Sequence, residues 1–458
     1  MSTLSNILEQ GRRALQVQQL AMQVIGHNTT NAGTVGYSRR RLDLETAPPG
    51  ETGMWDTGSG VDVLRLARVR DRLLDSQIRG ETSVASYWSE REDRLGRVEE
   101  VFNALGDNNL GKLMDDFWSG WHDLANDPES MAPRYALRDR AGALVSSLKR
   151  VHQNLAQQIE DTNARIGDAV NGMNDLTSAI ADLNVRISRA ELSGQEASDL
   201  RDSRDLLVEQ LAQIADISVQ DQSDGSINVY IGGQIIVQRD MAVRVNADET
   251  TSDPKRKYNL TLGSSPLTWN PMGGELGALI EQRDVELPGM IAMLDQFARE
   301  LSSSINELHM QGYGLNGSQG QEFFRVGATG VADLALSATI MDDPANIAAA
   351  SGANAPGDNS MALAIAQLQH STSIDGVTLD QWLRNIPLEA GSRRAAAIQQ
   401  RDIENAVLEN AVNRRASISG VSLDEEMARL LESQKAYEAA AKIVQTVDEM
   451  MQTVINLK

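Results

Sequence analysis

The sequence predicts a mainly α-helical, elongated, multi-domain protein with one small antiparallel β domain inserted into it. Three observations carry this. Narrow apolar stripes at steps of four and three recur at both ends of the chain and through most of its first half. The period switches to two only between Ile217 and about Asn270. The 458 residues are 41% hydrophobic but only 4% aromatic, a balance that suits side-by-side helices better than a thick mixed core.

The first helix, from about Ser5 to Ile25, places Leu4, Leu8, Gly11, Leu15, Gln18, Met22 and Ile25 on one seam. The last, Leu423 to Leu457, does the same with Leu423, Met427, Leu430, Gln434, Tyr437, Ala441, Val444, Met451 and Val454. Each is a coiled-coil seam on an otherwise polar helix. Such a stripe needs a cover, and the simplest partner for the first helix is the last. Charge agrees in sign: Arg12, Arg13, Arg39 and Arg40 face only Glu9 in the first forty residues, whereas acidic residues dominate from Val421 onward. Exposed pairs contribute little, so this charge is read as steering and register.

Between the two ends, His27 to Tyr37 is a polar, Gly-rich run of turn formers. Extended chain follows from Arg39 to Thr46, is broken at Ala47-Pro48-Pro49-Gly50, and resumes from Gly60 to Val69 as a long hairpin or arm, with Arg39 and Arg41 turned to solvent. Helices are predicted over Arg72 to Leu105 and over Leu110 to Ala125, the latter stopped by Asn126-Asp127-Pro128. A third runs from near Pro133 to Leu192 and a fourth from Asp199 to Ile214. The third is too long, without an internal proline, for a compact globule; it implies a rod-like bundle.

The period-two stretch pairs Ile217 and Val219, then Ile227, Val229 and Ile231, then Val243 and Val245, then Tyr258, Leu260 and Leu262, with Asp224-Gly225 and Gly232-Gly233 at hairpin turns. Helix resumes from about Gly274 to His309, with Pro288 as a kink. Gly312 to Val326 reads as a Gly-rich hairpin and Asp333 to Ile340 as a strand. Helices over Asp358 to Gln369, Leu379 to Arg384 and Leu388 to Ser417 precede the last one. The resulting division is 1–37 with 418–458, 38–214 with 274–417, and 215–273.

Composition excludes several function classes. A formal charge of −22 argues against general nucleic-acid affinity. The absence of cysteine removes disulfides, thiolate metal sites and a cysteine nucleophile. No stretch approaches the ~20 apolar residues of a membrane span, and the N-terminus lacks the pattern of a secretory signal peptide. The histidines (His27, His122, His152, His309 and His370) form no zinc-binding spacing. Asp115-Asp116, Asp342-Asp343 and Glu425-Glu426 are adjacent in sequence and so do not share a helix face; Asp342-Asp343 before Pro344 reads as a turn or helix start. No catalytic, cofactor-binding or metal-ligating residue is assigned.

The run Asn28-Thr29-Thr30-Asn31-Ala32-Gly33-Thr34-Val35-Gly36-Tyr37 resembles the signature of the bacterial flagellar rod, hook and hook-associated axial protein family. Asn28, Asn31, Thr34, Gly36 and Tyr37 fit it; Thr30 stands in place of the usual Ala and Val35 in place of the usual Pro. Ile418 to Glu426 resembles the C-terminal signature of that family, and Tyr437, Gln445-Thr446 and Leu457 fit its closing helix. The middle resembles the members that join hook to filament, through Asn184 to Leu211 with its Asp199 to Asp205 run, Gly274 to Leu279, and Gly312-Tyr313 to Phe323-Phe324. Longer relatives carry an extra outer domain after that last segment, where this chain passes directly from Phe324 to Asp333.

The resemblance implies a structural, non-enzymatic subunit. Its terminal helices would form an inner tube domain, the helical bundle the next shell and the β domain the outer one. Copies would assemble into a ring at the hook–filament junction after type III export, with the chain secreted, extracellular and serving motility. Partners implied are copies of itself, the hook protein, a second junction protein on the filament side, and a cytoplasmic export chaperone on the C-terminal helix; nucleic acid is not among them. As a free monomer the termini are expected to be largely disordered. Another axial protein, such as a hook, rod or flagellin-like subunit, is the nearest alternative. A secreted enzyme or a signalling coiled coil is a more distant one.

Overall fold

The computed structural model describes residues 2–47, 58–103, 106, 109–249, 258–267 and 273–456. The break at Pro48-Pro49-Gly50 and the predicted ends at Leu105, Asn270 and Leu457 lie outside them. Helix α1 (Ser2–Thr30) runs one turn past the predicted end, so Asn28 sits on the helix rather than in the turn. Strands β1 (Arg40–Thr46) and β2 (Val61–Arg68) form an antiparallel arm, with Arg40 opposite Arg68, Thr46 opposite Val61 and a bulge at Asp43/Leu44. The arm folds back along α1, where Gln10 hydrogen-bonds the Gly58 carbonyl and Arg13 lies 3.7 Å from Asp62.

Helices α2 (Arg72–Asn103), α3 (Leu110–Asn126), α4 (Met131–Ala190) and α5 (Ser198–Ile214) match the predicted helix ranges closely. Capping explains two of the starts: Asn109 accepts from Lys112 N–H before α3, and Ser130 accepts from Ala132 N–H before α4. Strands β3 (Ile217–Asp221), β4 (Ile227–Ile231), β5 (Gln234–Gln238) and β6 (Met241–Ala242) form one antiparallel meander. Strands β7 (Val245–Glu249), β8 (Tyr258–Leu262) and β9 (Ser265–Pro266) form a second. The β unit shares its core with the helices: Val229, Ile231, Val237 and Leu260 pack in one cluster with Ile166, Val170, Met173, Val208 and Leu211 of α4 and α5.

The predicted kink at Pro288 appears as a turn of π-helix. Helix α6 (Gly274–Glu281) widens over Gln282–Glu286 before α7 (Leu287–His309). Pro288 has no N–H, so a regular α-ladder fails there, and the wider turn absorbs the mismatch. The segment from Gly312 to Val326 is not a regular hairpin. It is a turn-rich loop with isolated bridges, Tyr313 to Gln319 and to Ala350, and Phe324 to Leu336. Nor is Asp333 to Ile340 a strand: after the bridge at Leu336 the chain enters α8 (Ala338–Asp342), capped by Ser337. Asp343 then caps the short 3-10 turn Pro344–Asn346, the turn expected from the Asp-Asp-Pro run.

What replaces the hairpin's ladder is an aromatic cluster. Phe323 stacks against Trp121 at 5.1 Å and Phe324 at 5.0 Å between centroids, with Phe117 and His309 beside them. Asn306 of α7 fixes the loop from below, accepting from Phe323 and Phe324 N–H and donating to the Phe324 carbonyl. The chain is poor in aromatics overall and spends them here, at the centre of the main core formed by α3, α4, α7, α9 (Ser360–Gln367) and α10 (Leu379–Ser419).

Strands β10 (Thr372–Ile374) and β11 (Val377–Thr378) lead into α10 (Leu379–Ser419), opened by a capping box between Thr378 and Gln381. The two helices predicted on either side of Ile386-Pro387 are one. Pro387 is accommodated inside it, and its flank is held to α2 and the π-turn by charge: Arg394 to Glu92 and Glu99, Arg401 to Glu92, and Arg393 to Glu286. Helix α11 (Leu423–Asn456) closes the chain.

Candidate assembly interface

Helices α1 and α11 pack against each other antiparallel: the end of α1 at Asn28 meets the start of α11 at Glu426, and Gly11 meets Val444. Two helices with apolar stripes and no other core solve each other's exposure. The crossing is close at Gly11, where an added Cβ would stand 2.6 Å from Val444 Cγ2. Ile25 is buried; Leu4, Leu8, Leu15, Met22, Leu430, Tyr437, Val444 and Met451 are half-buried.

Leu423, Met427 and Val454 differ from the expected seam and are exposed, Met427 by 52%. On α11 the residues wholly covered are Glu426, Ala440 and Val447. The covered face alternates these three with the half-buried Leu430, Tyr437, Val444 and Met451, so it shares only part of the predicted stripe. Sequence periodicity could not place Glu426 on this face, because a glutamate does not register as apolar. On α1, Val17 and Val24 are also buried, off the predicted stripe. They fall at steps of seven from Gln10, which touches the arm, and Val24 shares a groove with Leu42 of β1.

The motif residues converge on Asn28, which is 1% exposed. Its Oδ1 accepts from Tyr37 O–H at 2.7 Å and from Arg40 N–H at 3.0 Å; its Nδ2 donates to the Arg40 carbonyl and to Glu426 Oε2, both at 3.0 Å. Those four bonds fill the capacity of the amide. Asn31 folds back on His27, Thr34 donates to Asn31 Oδ1, and the Tyr37 N–H bonds the Thr34 carbonyl. Gly36 has φ +80°, a left-handed turn that a side chain resists. Burial is the main cause that pushes the Tyr37 hydroxyl pKa up to about 12, with Arg40 opposing and Asp202, Asp199 and Glu426 adding to it. Tyr37 is therefore a neutral donor at every physiological pH. Thr34 and Gly36 lie at the surface, and the Thr34 side chain reaches only Asn31.

The arm's arginines extend this junction into the helical body. Arg39 is not turned to solvent: it pairs with Glu425 at 2.9 Å, and its N–H bonds the Ser419 carbonyl. Of the predicted charge attraction between the termini, Arg12 and Arg13 take no part, since both pair with Glu9 on their own helix. Arg40 pairs with Asp199, Ser38 Oγ donates to Asp202 at 2.7 Å, Arg68 bridges Glu196, Asp202 and Asp205, and Arg70 bridges Asp75 and Asp205. Burial opposes the Arg68 charge, but Asp205 and Asp202 more than offset it and raise its pKa; Asp205 is correspondingly lowered by Arg70 and Arg68 against its burial. The spacing of Asp199, Asp202 and Asp205 puts three carboxylates along one side of α5. Sequence reading found that run but not Arg68 and Arg70, its partners, because nothing local links positions so far apart.

Among the described residues no group of three or more His, Asp or Glu side chains is placed to hold a metal ion, and no helix is long and apolar enough to cross a membrane. The arrangement is one of packing and fixed ion pairs, suited to holding a shape.

Comparison with known proteins places this architecture. Residues 95–324 match the family described as the flagellar hook-associated protein FlgK helical domain, and residues 414–457 match the C-terminal family of flagellar basal body rod FlgEFG proteins. The chain is 27% identical to the flagellar hook-associated protein 1 of Bacillus subtilis over 98% of this chain and 97% of that one. It is 24% identical to the protein of the same name from Escherichia coli over 99% and 100%. The structure of the flagellar hook junction protein FlgK from Burkholderia pseudomallei superimposes with a TM-score of 0.67 at 16% identity, covering 75% of this chain and all of that one, a likeness of fold. The helical-domain match spans half of the chain and includes α3, α4 and α7 of its main core, and on that ground the chain belongs to the flagellar hook-associated FlgK family.

Proposed function

We propose that this chain is a structural subunit of the bacterial flagellum, forming the junction between hook and filament, and that copies of it assemble into a ring through their terminal helices. The observation that carries this is the second face of α11. One side of the helix is covered by α1, yet Leu423, Met427, Leu431, Ile443, Met450, Val454 and Ile455 remain exposed. Apolar surface of this extent on a long helix marks an interaction face, and in a repeating ring the natural cover is the terminal pair of the neighbouring copy.

In this reading residues 1–37 and 418–458 form the inner tube domain, 38–214 with 274–417 the elongated shell around it, and 215–273 the outer β unit. The subunit leaves the cell by the flagellar type III route, with a cytoplasmic chaperone covering the α11 stripe beforehand, and meets the hook protein on one side and a second junction protein on the other. Its role is mechanical and non-enzymatic, without cofactor or metal.

The test is deletion of the gene in its host, with electron microscopy of the cells and an assay of filament protein in the medium. Bare hooks with filament subunits shed into the medium are expected. The C-terminal likeness to rod proteins favours a second reading, a rod or hook subunit, which missing hooks would support. Intact filaments would sink both readings.

A further inference from the structure

A cavity of about 340 Å³ lies where strand β2, helices α2 and α5, and the β3–β4 sheet meet. Its lining holds seven arginines and four carboxylates, and further acids, Asp43, Asp202 and Glu191, pair with lining arginines from beside it. Several of the arginines are matched: Arg68 and Arg70 by the acids described above, and Arg201 by Glu191 at 2.6 Å. Two are not. Arg204 is 1% exposed and binds only the Asn184 side chain and the Gly225 carbonyl through Nη1; its Nε has no hydrogen-bond partner among the described residues. Arg79, half-buried on α2, forms no hydrogen bond or ion pair among the described residues.

A buried guanidinium without an anion beside it is costly, and the cost falls when a charge-assisted hydrogen bond is supplied. Burial lowers the pKa of both Arg204 and Arg79, the first to about 10, with nearby carboxylates compensating only in part. Both remain charged at neutral pH. The cavity has room for a small anion with several waters, at ~30 Å³ per water, and planar guanidinium forks are suited to tetrahedral oxyanions.

We propose that this cavity binds a small multivalent oxyanion of the phosphate type, held by Arg79 and Arg204. The bound ion ties α2 and α5 together behind the arm, at the base of the terminal coiled coil. It thereby stiffens the connection through which the terminal helices are anchored to the body.

The experiment is titration calorimetry of the full-length chain with inorganic phosphate, against chloride at matched ionic strength. Two variants accompany it. Arg79→Gln removes the unmatched charge; Arg72→Gln removes an exposed rim arginine that pairs with Asp221 at 3.3 Å. One phosphate per chain is expected, with affinity about tenfold or more weaker in R79Q, the loss of one charged hydrogen bond, and little changed in R72Q. R79Q should melt no lower than the parent in phosphate-free buffer, since it removes the desolvation cost of a charge that has no hydrogen-bonded anion; if it does not fold, Arg79→Lys, which keeps charge but loses the fork, carries the same comparison. No saturable binding in the parent overturns the proposal. So does binding weakened equally by both glutamine variants, or by neither.

Discussion

Asn28 and Glu426 stand 398 positions apart in the chain and share one buried hydrogen bond, Nδ2 to Oε2 at 3.0 Å. That bond ties the end of the first helix to the start of the last, at the point where the arm leaves α1. Among the described residues the other Glu426 oxygen has only Arg429, 3.8 Å away, so Asn28 is the main polar support of a fully buried carboxylate. Asn28→Ala strands that carboxylate together with the N–H and C=O of Arg40. Each unsatisfied neutral group costs roughly 1–3 kcal/mol, and a charged one more. Urea denaturation should show N28A losing at least the upper end of that range, and Asn31→Ala much less. Equal losses would mean that the amide is not the hub.

Gly11 is the second point where the pair is fixed. A side chain there must displace Val444, and overpacking of a tight contact costs typically about 1–3 kcal/mol. The helix-propensity gain from replacing glycine, about 0.7–1 kcal/mol, works in the opposite direction, so the test needs a large side chain. Gly11→Leu should free the termini to protease while leaving the body intact. Adding Val444→Ala, which empties the space the new side chain needs, should restore protection. A double variant no better than G11L would show that the two positions are not coupled.

Gly36→Ala isolates the conformational cost of the motif turn. The nearest atom to an added Cβ, Leu206 Cβ at 3.6 Å, is in ordinary contact, so space is not the issue. The left-handed φ is, and it costs about 1–2 kcal/mol for an L-residue. A loss of that size in chemical denaturation, with unchanged helix content, is the expected outcome; no loss would mean the turn relaxes.

These residues also show how far the sequence could be read. The stripes of α1 to α5 were legible because each element's burial repeats every turn, and the Asp343 cap and Pro288 distortion because both are local rules of backbone bonding. The fused α10 was not, since its Pro387 turn is held by Arg393 and Arg394 reaching Glu286, Glu92 and Glu99. Nor was the aromatic packing that fixes Phe323-Phe324 in place of a hairpin. Glu426, Arg68 and Arg70 were missed for one reason: a buried charge carries no periodic signature, and its partner lies on a distant element.

His309 gives the fold a pH dependence. It is fully buried, with Nδ1 donating to the Gln321 carbonyl at 2.7 Å and Nε2 accepting from Ala348 N–H at 2.8 Å. That arrangement requires the neutral ring. Burial lowers its pKa from 6.5 to about 4, the Gln321 bond opposing and Arg134 assisting. Between those values the unfolded chain binds a proton that the folded chain refuses. The contribution is therefore complete above pH 6.5 and is lost as pH falls toward 4, amounting to about 3 kcal/mol. Urea midpoints of the parent at pH 7, 5.5 and 4.5 should fall more steeply than those of His309→Gln; parallel curves would refute this assignment.

Met427 separates assembly from folding. It sits one position beyond Glu426, is 52% exposed, and faces away from the line that α1 covers. A charge at such a site changes monomer stability by no more than about 0.5 kcal/mol, but it would be buried between copies if α11 packs against its neighbour, where an unpaired carboxylate is costly. Met427→Asp should therefore fold and melt as the parent does, reach the medium normally, and fail to retain filaments on hooks. The contrast with G11L matters: that variant loosens the pair within one chain, whereas M427D leaves the pair whole and blocks only its cover. Full motility with M427D would place the contact between copies on a different face of α11.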